Sequence, residues 1–211
     1  IRTMHAMDTA SQIDWTRIGE AQEYYRLAVG YRYTETPWVV GHGPYNATKS
    51  VDNADATDLY VRGWGDYLVA SGEQGFLEMM TSDRPLAPGK WVTVTPCFRH
   101  ESEYSAIRRP WFMKVELIYI LDEHFNAQDR LAEVIRDAMR YFSANTAGVR
   151  RLPQLVKTGE STFDIELGGV EIGSYGIREH EGHRWVYGTG LAEPRFSALL
   201  QRIRNESDGP L

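Results

Sequence analysis

The sequence predicts an α+β domain built on an antiparallel or mixed sheet flanked by helices. Trp91–Phe98 (WVTVTPCF) alternates with period two, and Phe112–Leu121 follows after a polar loop of hairpin length. Strand-like runs crowd together at Leu152–Lys157, Thr162–Leu167 and Val170–Arg178 with short connections. Helical periodicity lies before, between and after these runs, so helices do not alternate one for one with strands as a parallel sheet requires.

Taken in order, Ser11 and Asp14 are capping residues for a first helix of about 15 residues, on which Trp15, Ile18, Ala21, Tyr25 and Ala28 recur at helical spacing until Gly30. Arg32–Val40 (RYTETPWVV) reads as a strand, with Pro37 at an edge or an end because it has no N–H to give a ladder. The polar stretch His42–Asp58 reads as a long loop. Strands are expected at Leu59–Val61 and Tyr67–Ala70, then a short helix around Gln74–Met80. Ala127–Ala144 is amphipathic, with an apolar stripe of Leu131, Val134, Ile135, Ala138, Met139 and Phe142. A last helix is expected from Pro194 to Ile203.

No internal repeat or Pro/Ser-rich linker divides the chain, so residues 1–211 are read as a single domain, and 42% hydrophobic residues suffice for a substantial core. The 23 basic and 29 acidic side chains give a net charge of −6, which excludes a broad electrostatic grip on nucleic acid but leaves room for a local basic patch. The lone Cys97 excludes an intrachain disulfide and a cysteine-rich zinc site, and reads as a small buried hydrophobe. No run approaches the roughly 18 apolar residues of a membrane span, and the first residues lack the apolar core of a signal peptide. A cytoplasmic protein without a membrane partner is expected. All 6 histidines are read as non-ligands, since His180 and His183 lack a clear third ligand. With Ile at position 1, the natural start is expected upstream or at Met4 or Met7.

Three polar constellations interrupt the pattern. The first is Phe98-Arg99-His100-Glu101 with Arg108, Arg109, Phe112 and Glu116. A hairpin bearing arginines and an aromatic can hold a polyphosphate, through planar guanidinium forks and a face for a base. A solvated hairpin whose Arg and Glu pair with each other fits equally well. The second is Glu171-Ile172-Gly173-Ser174. The third, Gly188-Thr189-Gly190-Leu191-Ala192-Glu193-Pro194-Arg195, sets glycines before a helix, either for close backbone approach to a ligand or for a tight strand-to-helix turn. It is neither a dinucleotide fingerprint nor a Walker loop.

In order and spacing these segments resemble the signature motifs of class II aminoacyl-tRNA synthetases, and their wording is closest to the seryl-tRNA synthetase branch and its amino-acid-activating paralogues. The first helix and the strand bearing Pro37 look like motif 1, TPCFRHE with RRPWFMKVE like motif 2, and YGTGLAEPR like motif 3. YLVASGEQGFL resembles the amino-acid recognition segment, and FDIELGGVEIGS the strand pair before motif 3. The resemblance runs from about Trp15 to Leu200 and implies a class II synthetase-like catalytic domain.

It also implies roles. Arg99 would contact the amino acid carboxylate and the α-phosphate of ATP, Phe112 and Arg195 would sandwich adenine, and Glu101 would accept from the adenine amino group. Arg108 or Arg109 would hold the pyrophosphate. Ser71, Glu73 and Glu116 would face the amino acid, and Glu171 and Ser174 would supply oxygens to Mg²⁺. Arg99 and Arg195 are thus the expected catalytic residues, ATP and Mg²⁺ the expected cofactors, an amino acid the substrate and a homodimer the assembly.

Departures from the family shape the functional expectation. Neither a helical tRNA-binding arm nor an anticodon-binding domain fits within these residues, the Arg99–Phe112 loop is short, and Ala70-Ser71-Gly72-Glu73 stands where seryl enzymes carry a Thr-containing variant. The expectation is ATP-dependent amino acid activation with transfer to a tRNA, a carrier protein or a small molecule, an atypical or non-tRNA acceptor being favoured over an ordinary tRNA. The alternatives are a catalytically silent paralogue acting as a regulatory or binding subunit, and an ammonia-using amide synthetase of the same fold.

Overall fold

The computed structural model describes residues 12–48, 59–63, 66–99 and 104–207. Asp14 opens α1 (Trp15–Glu23), its carboxylate accepting the Arg17 N–H at 2.9 Å. The Ser11 cap lies outside the described residues. A π-helical turn, Tyr24–Ala28, carries the helix on and buries Tyr25 completely. The expected strand Arg32–Val40 is instead two, β1 (Arg32–Tyr33) and β2 (Val39–Val40), which join different sheets. Pro37 lies in the break, and Thr36 is buried against the Thr93 hydroxyl at 3.3 Å.

The stretch expected as a loop from His42 begins as a helix, α2 (His42–Ala47). Gly41 supplies the extended cap, Pro44 sits in the first turn where its missing N–H has no helical partner to lose, and Tyr45 is buried. Residues 49–58 of that stretch lie outside the described residues. β3 (Tyr60–Val61) and β4 (Asp66–Leu68) complete a three-stranded sheet ordered β2-β4-β3. Ser71 caps α3 (Gly72–Met80).

Beyond α3 the chain makes β5 (Gly89–Phe98), β6 (Trp111–Ile120), α4 (Ala127–Asn145), β7 (Gln154–Lys157), β8 (Thr162–Leu167), β9 (Val170–His180), β10 (His183–Glu193) and α5 (Arg195–Ser207). With β1 these strands form a seven-stranded mixed sheet, ordered β1-β5-β6-β10-β9-β8-β7. Only the β1–β5 pair is parallel.

Period-two alternation assigns each strand residue to one of two faces. On β6, Met113, Val115, Leu117 and Tyr119 enter the main core with Tyr25, Leu131, Val134, Phe142 and Phe196. Ile118 and Ile120 face the other way, into a smaller cluster with Phe76, Leu77 and Met80 of α3 and Trp185 of β10. Phe112, Lys114 and Glu116 share that second face by their parity. A register shift between Thr189 and Leu191 on β10 then changes which residues look outward. Before the bulge Tyr187 and Thr189 line the cavity on this face; after it Leu191 is in the core and Ala192 lines the cavity. The expected glycine turn is therefore a bulged strand that continues to Glu193 before α5 begins. Among the described residues no helix is long and apolar enough to cross a membrane.

Candidate active site

The second face of the sheet forms the floor of a cavity of about 550 Å³, walled by the start of α3, by Tyr45 and by β8, the strand next to the edge. Arg99, Phe112, Ser71, Glu73, Glu171, Ser174 and Arg195 line it together, although they come from all three polar constellations and the recognition segment.

At one end, Arg195 Nη1 and Glu171 Oε1 form an ion pair at 3.2 Å. Arg195 opens α5, while Glu171 stands half-exposed near the start of β9. Arg99 lies over the Phe112 ring with its guanidinium carbon 5.1 Å from the centroid, and its Nε donates to the Ala70 carbonyl at 3.1 Å. Arg108 and Arg109 do not line the main cavity. They flank a small cleft next to it that shares Phe112 and Arg195, with Arg109 over Trp111 at 4.9 Å. Glu101 lies outside the described residues.

Ser174 is paired across strands with Asp164 of β8, which also lines the cavity. Burial raises the Asp164 carboxyl pKa, opposed by a hydrogen bond with Ser174. No cluster of three or more acidic, His or Cys side chains that could hold a metal ion occurs among the described residues. The donors present are nevertheless all hard oxygens, the carboxylates of Glu171 and Asp164 and the Ser174 hydroxyl. That set fits Mg²⁺ arriving with a nucleotide, since magnesium is commonly held by one or two carboxylates plus phosphate and water oxygens.

At the other end two buried carboxylates are tied down. Glu116, with no exposed surface, accepts from Lys114 Nζ at 2.9 Å, from the Ser71 hydroxyl at 2.8 Å and from the Gly72 N–H at 3.1 Å. The tight approach of α3 to the sheet needs Gly72, because a Cβ there would come within 2.7 Å of Thr95 Cγ2. Glu73 accepts from Trp185 Nε1 at 2.6 Å and from Arg178 Nη1 at 2.7 Å. Burial raises its pKa, and Arg178 opposes that shift. A carboxylate offers about four lone-pair sites, so Glu73, which lines the cavity, retains capacity for an ammonium group. Glu116, by contrast, already accepts three bonds, has no exposed surface and does not line the cavity.

Reading the residues alone did not single out Asp164, Lys114, Arg178 or Tyr187. Asp164 had a usable signal, as it follows Thr162 with period two on the strand opposite Ser174. Arg178 had none, because its setting depends on Tyr187 of the neighbouring strand and on Glu73 of the distant α3.

The chain has the fold of a class II aminoacyl-tRNA synthetase catalytic domain, with its mixed seven-stranded sheet flanked by helices. Among solved structures it is similar to the cytoplasmic serine-tRNA ligase from Naegleria fowleri in complex with AMP, with a TM-score of 0.64, 17% identity and coverage of 88% of this chain and 54% of that one. It is also similar to seryl-tRNA synthetase from Pyrococcus horikoshii complexed with ATP, with a TM-score of 0.69, 17% identity and coverage of 90% and 49%. The chain thus spans about half the length of either structure. No family model and no curated protein matches it by sequence.

Proposed function

We propose that this domain activates an amino acid with ATP and Mg²⁺, releasing pyrophosphate, and passes the aminoacyl group to an acceptor other than an ordinary tRNA. The observation that carries this reading is the convergence of Arg99, Phe112, Arg195, Glu171 and Ser174 on one cavity, with Ser71 and Glu73 at its far end and Glu116 buried behind Ser71. The ATP- and AMP-bound similar structures support a nucleotide in such a fold.

A carboxylate oxygen of the amino acid attacks the α-phosphorus, the bond from that phosphorus to the bridging oxygen breaks, and pyrophosphate leaves with that electron pair. Arg99 neutralises charge on the carboxylate and α-phosphate as they approach. Phe112 and Arg195 hold the base between an aromatic face and a guanidinium, and Arg108 or Arg109 receives the pyrophosphate from the adjoining cleft. Glu101 is the proposed acceptor for the base amino group. The ammonium of the amino acid falls to the Glu73 carboxylate, with Ser71 beside it and Glu116 holding Ser71 from behind. Mg²⁺, held by Glu171 and Ser174, would neutralise the phosphates.

The net charge of −6 supports an acceptor that needs no extensive basic surface. Homodimerisation is part of the proposal, supported by exposed Trp15, Leu27 and Trp38 in and next to the segment that resembles motif 1. A reducing, cytoplasmic setting suits the buried Cys97 thiol, whose pKa burial pushes up to about 12.

Amino-acid-dependent exchange of pyrophosphate into ATP, measured across all twenty amino acids with purified protein, tests the reading. Exchange with at least one amino acid is expected. ATP binding without any exchange would identify a nucleotide-binding subunit instead, and amide formation from aspartate and ammonia would identify an amide synthetase.

A further inference from the structure

The far end of the cavity holds a donor that the activation chemistry does not use. Ser174 and Arg178 lie on the same face of β9, four residues apart, which at ~3.3 Å per residue sets them about 13 Å from each other along the strand. Ser174 is at the phosphate end. Arg178 is therefore at the opposite end, beside the Glu73 carboxylate it pairs with at 2.7 Å, where the side chain of an amino acid whose ammonium meets Glu73 would extend. Its guanidinium stacks on Tyr187 with the carbon 4.5 Å from the ring centroid, and both residues line the cavity.

Most other polar groups at this end are committed; the exception is the Thr48 hydroxyl, a single small group buried without a partner among the described residues. Gln74 accepts the Ala70 N–H at 2.7 Å through Oε1 and donates from Nε2 to the Tyr45 carbonyl at 3.1 Å. Lys114 Nζ and the Ser71 hydroxyl both donate to Glu116. Arg178 is different: among the described residues its hydrogen bonds to Glu73 Oε2 and to the Thr48 carbonyl, at 2.7 and 3.1 Å, both leave from Nη1. A guanidinium carries five N–H donors and no acceptor, so Nε and Nη2 remain to face the cavity. The side chain is 30% exposed there, and Tyr187 fixes its plane.

We infer that Arg178 selects the substrate, and that the amino acid activated has a side chain ending in a carboxyl or carboxamide oxygen. This rests on the activation reading above. Two donors in one plane match a planar acceptor group, while a lone hydroxyl meets only one of them. An apolar side chain would strip water from donors without replacing it, and a cationic one would meet like charge. The Glu73–Arg178 pair also explains why the guanidinium can sit there before substrate arrives: its charge is already balanced by a buried carboxylate.

Pyrophosphate exchange resolved by amino acid tests this. Asp, Asn, Glu or Gln should head the panel, and comparison of the acid with its amide separates a carboxylate from a carboxamide substrate. Arg178→Lys keeps a cation for Glu73 but loses the planar fork, so the KM for the preferred amino acid should rise at least tenfold while the KM for ATP stays unchanged. Arg178→Gln provides a second variant if the first melts early. A panel headed by serine, or by apolar or cationic amino acids, overturns the inference and leaves activation standing. So does an unchanged amino acid KM in a folded variant. No exchange with any amino acid overturns both readings.

Discussion

Trp185 donates its indole N–H to Glu73 Oε1 at 2.6 Å, a hydrogen bond from the floor of the sheet to the first turn of α3. Both residues are buried. The bond is a charge-assisted one in a poorly solvated setting, so it both orients the carboxylate and opposes the rise in its pKa caused by burial.

Trp185→Phe should therefore destabilise the fold by about 2–3 kcal/mol, because it leaves a buried carboxylate oxygen without its donor as well as losing packing. Urea denaturation measures this directly. A Phe variant as stable as the parent would mean that the bond contributes nothing.

Arg99→Ala is expected to reduce amino-acid-dependent exchange by more than ~100-fold, in line with the loss of one charged group from a transition-state clamp. Arg99 is only part-buried and its hydrogen bond goes to one carbonyl, so the melting temperature should shift by no more than about 3 °C. Retained exchange would remove Arg99 from the chemistry.

Glu171→Gln should raise the Mg²⁺ concentration needed for half-maximal exchange several-fold, on the order of 10-fold, since a carboxamide is a poorer ligand for a hard cation. The Arg195 ion pair is also lost in this variant. Arg195→Ala separates the two effects: it should weaken ATP binding while leaving the Mg²⁺ midpoint in place.

Glu193 supplies a pH dependence. Burial pushes its carboxyl up from 4.5 to about 7, against opposing effects of Ser197 and Arg17. Between these values the folded protein holds a proton that the unfolded chain has released. The stabilisation from that proton is complete below the unfolded value and is lost as pH rises through the folded one, by up to ~3 kcal/mol. Denaturation midpoints should fall between about pH 5 and pH 8, and Glu193→Gln should flatten that decline. An identical slope in the variant would assign the pH dependence to another group.

Gly190→Ala should cost about 1–3 kcal/mol, since the added Cβ would come within 2.6 Å of the Tyr25 ring in a fully packed region. Tyr25 also donates to the Gly190 carbonyl at 3.1 Å, so a displaced ring loses this bond as well. Equilibrium unfolding distinguishes this loss from an unaltered core.

The long elements were legible because each buries one regular stripe. Leu131, Val134, Ala138 and Phe142 declare α4 by helical spacing, and the alternation of WVTVTPCF declares β5. α2 was not legible: six residues with Gly and Pro carry no helical period, and only the burial of Tyr45 beneath β4 supplies a reason for the turn. The β10 bulge was hidden for a related reason. Gly188 and Gly190 signal close approach by something, but the approaching groups, Tyr175 and Tyr25, come from other parts of the chain. Among the residues lining the cavity, motif order singled out Arg99, Phe112 and Arg195, whereas Lys114, Asp164 and Arg178 stand out only through their neighbours in the folded sheet.

At the middle of the large sheet, β6 lies against β10, which sets Met113 beside Glu193 and Ile120 beside Trp185. That seam spans all of α4 and the β7–β9 meander. Ser71, Phe112 and Glu116 belong to one side of it; Glu171, Ser174, Arg178 and Arg195 belong to the other. A refolding chain can form its local hairpins early, but it owns no cavity until these sequence-distant strands meet. Under the proposed activity, nucleotide present during refolding would then act as a latch on the finished sheet and not as a template for assembling it, slowing departure from the native state more than it hastens arrival.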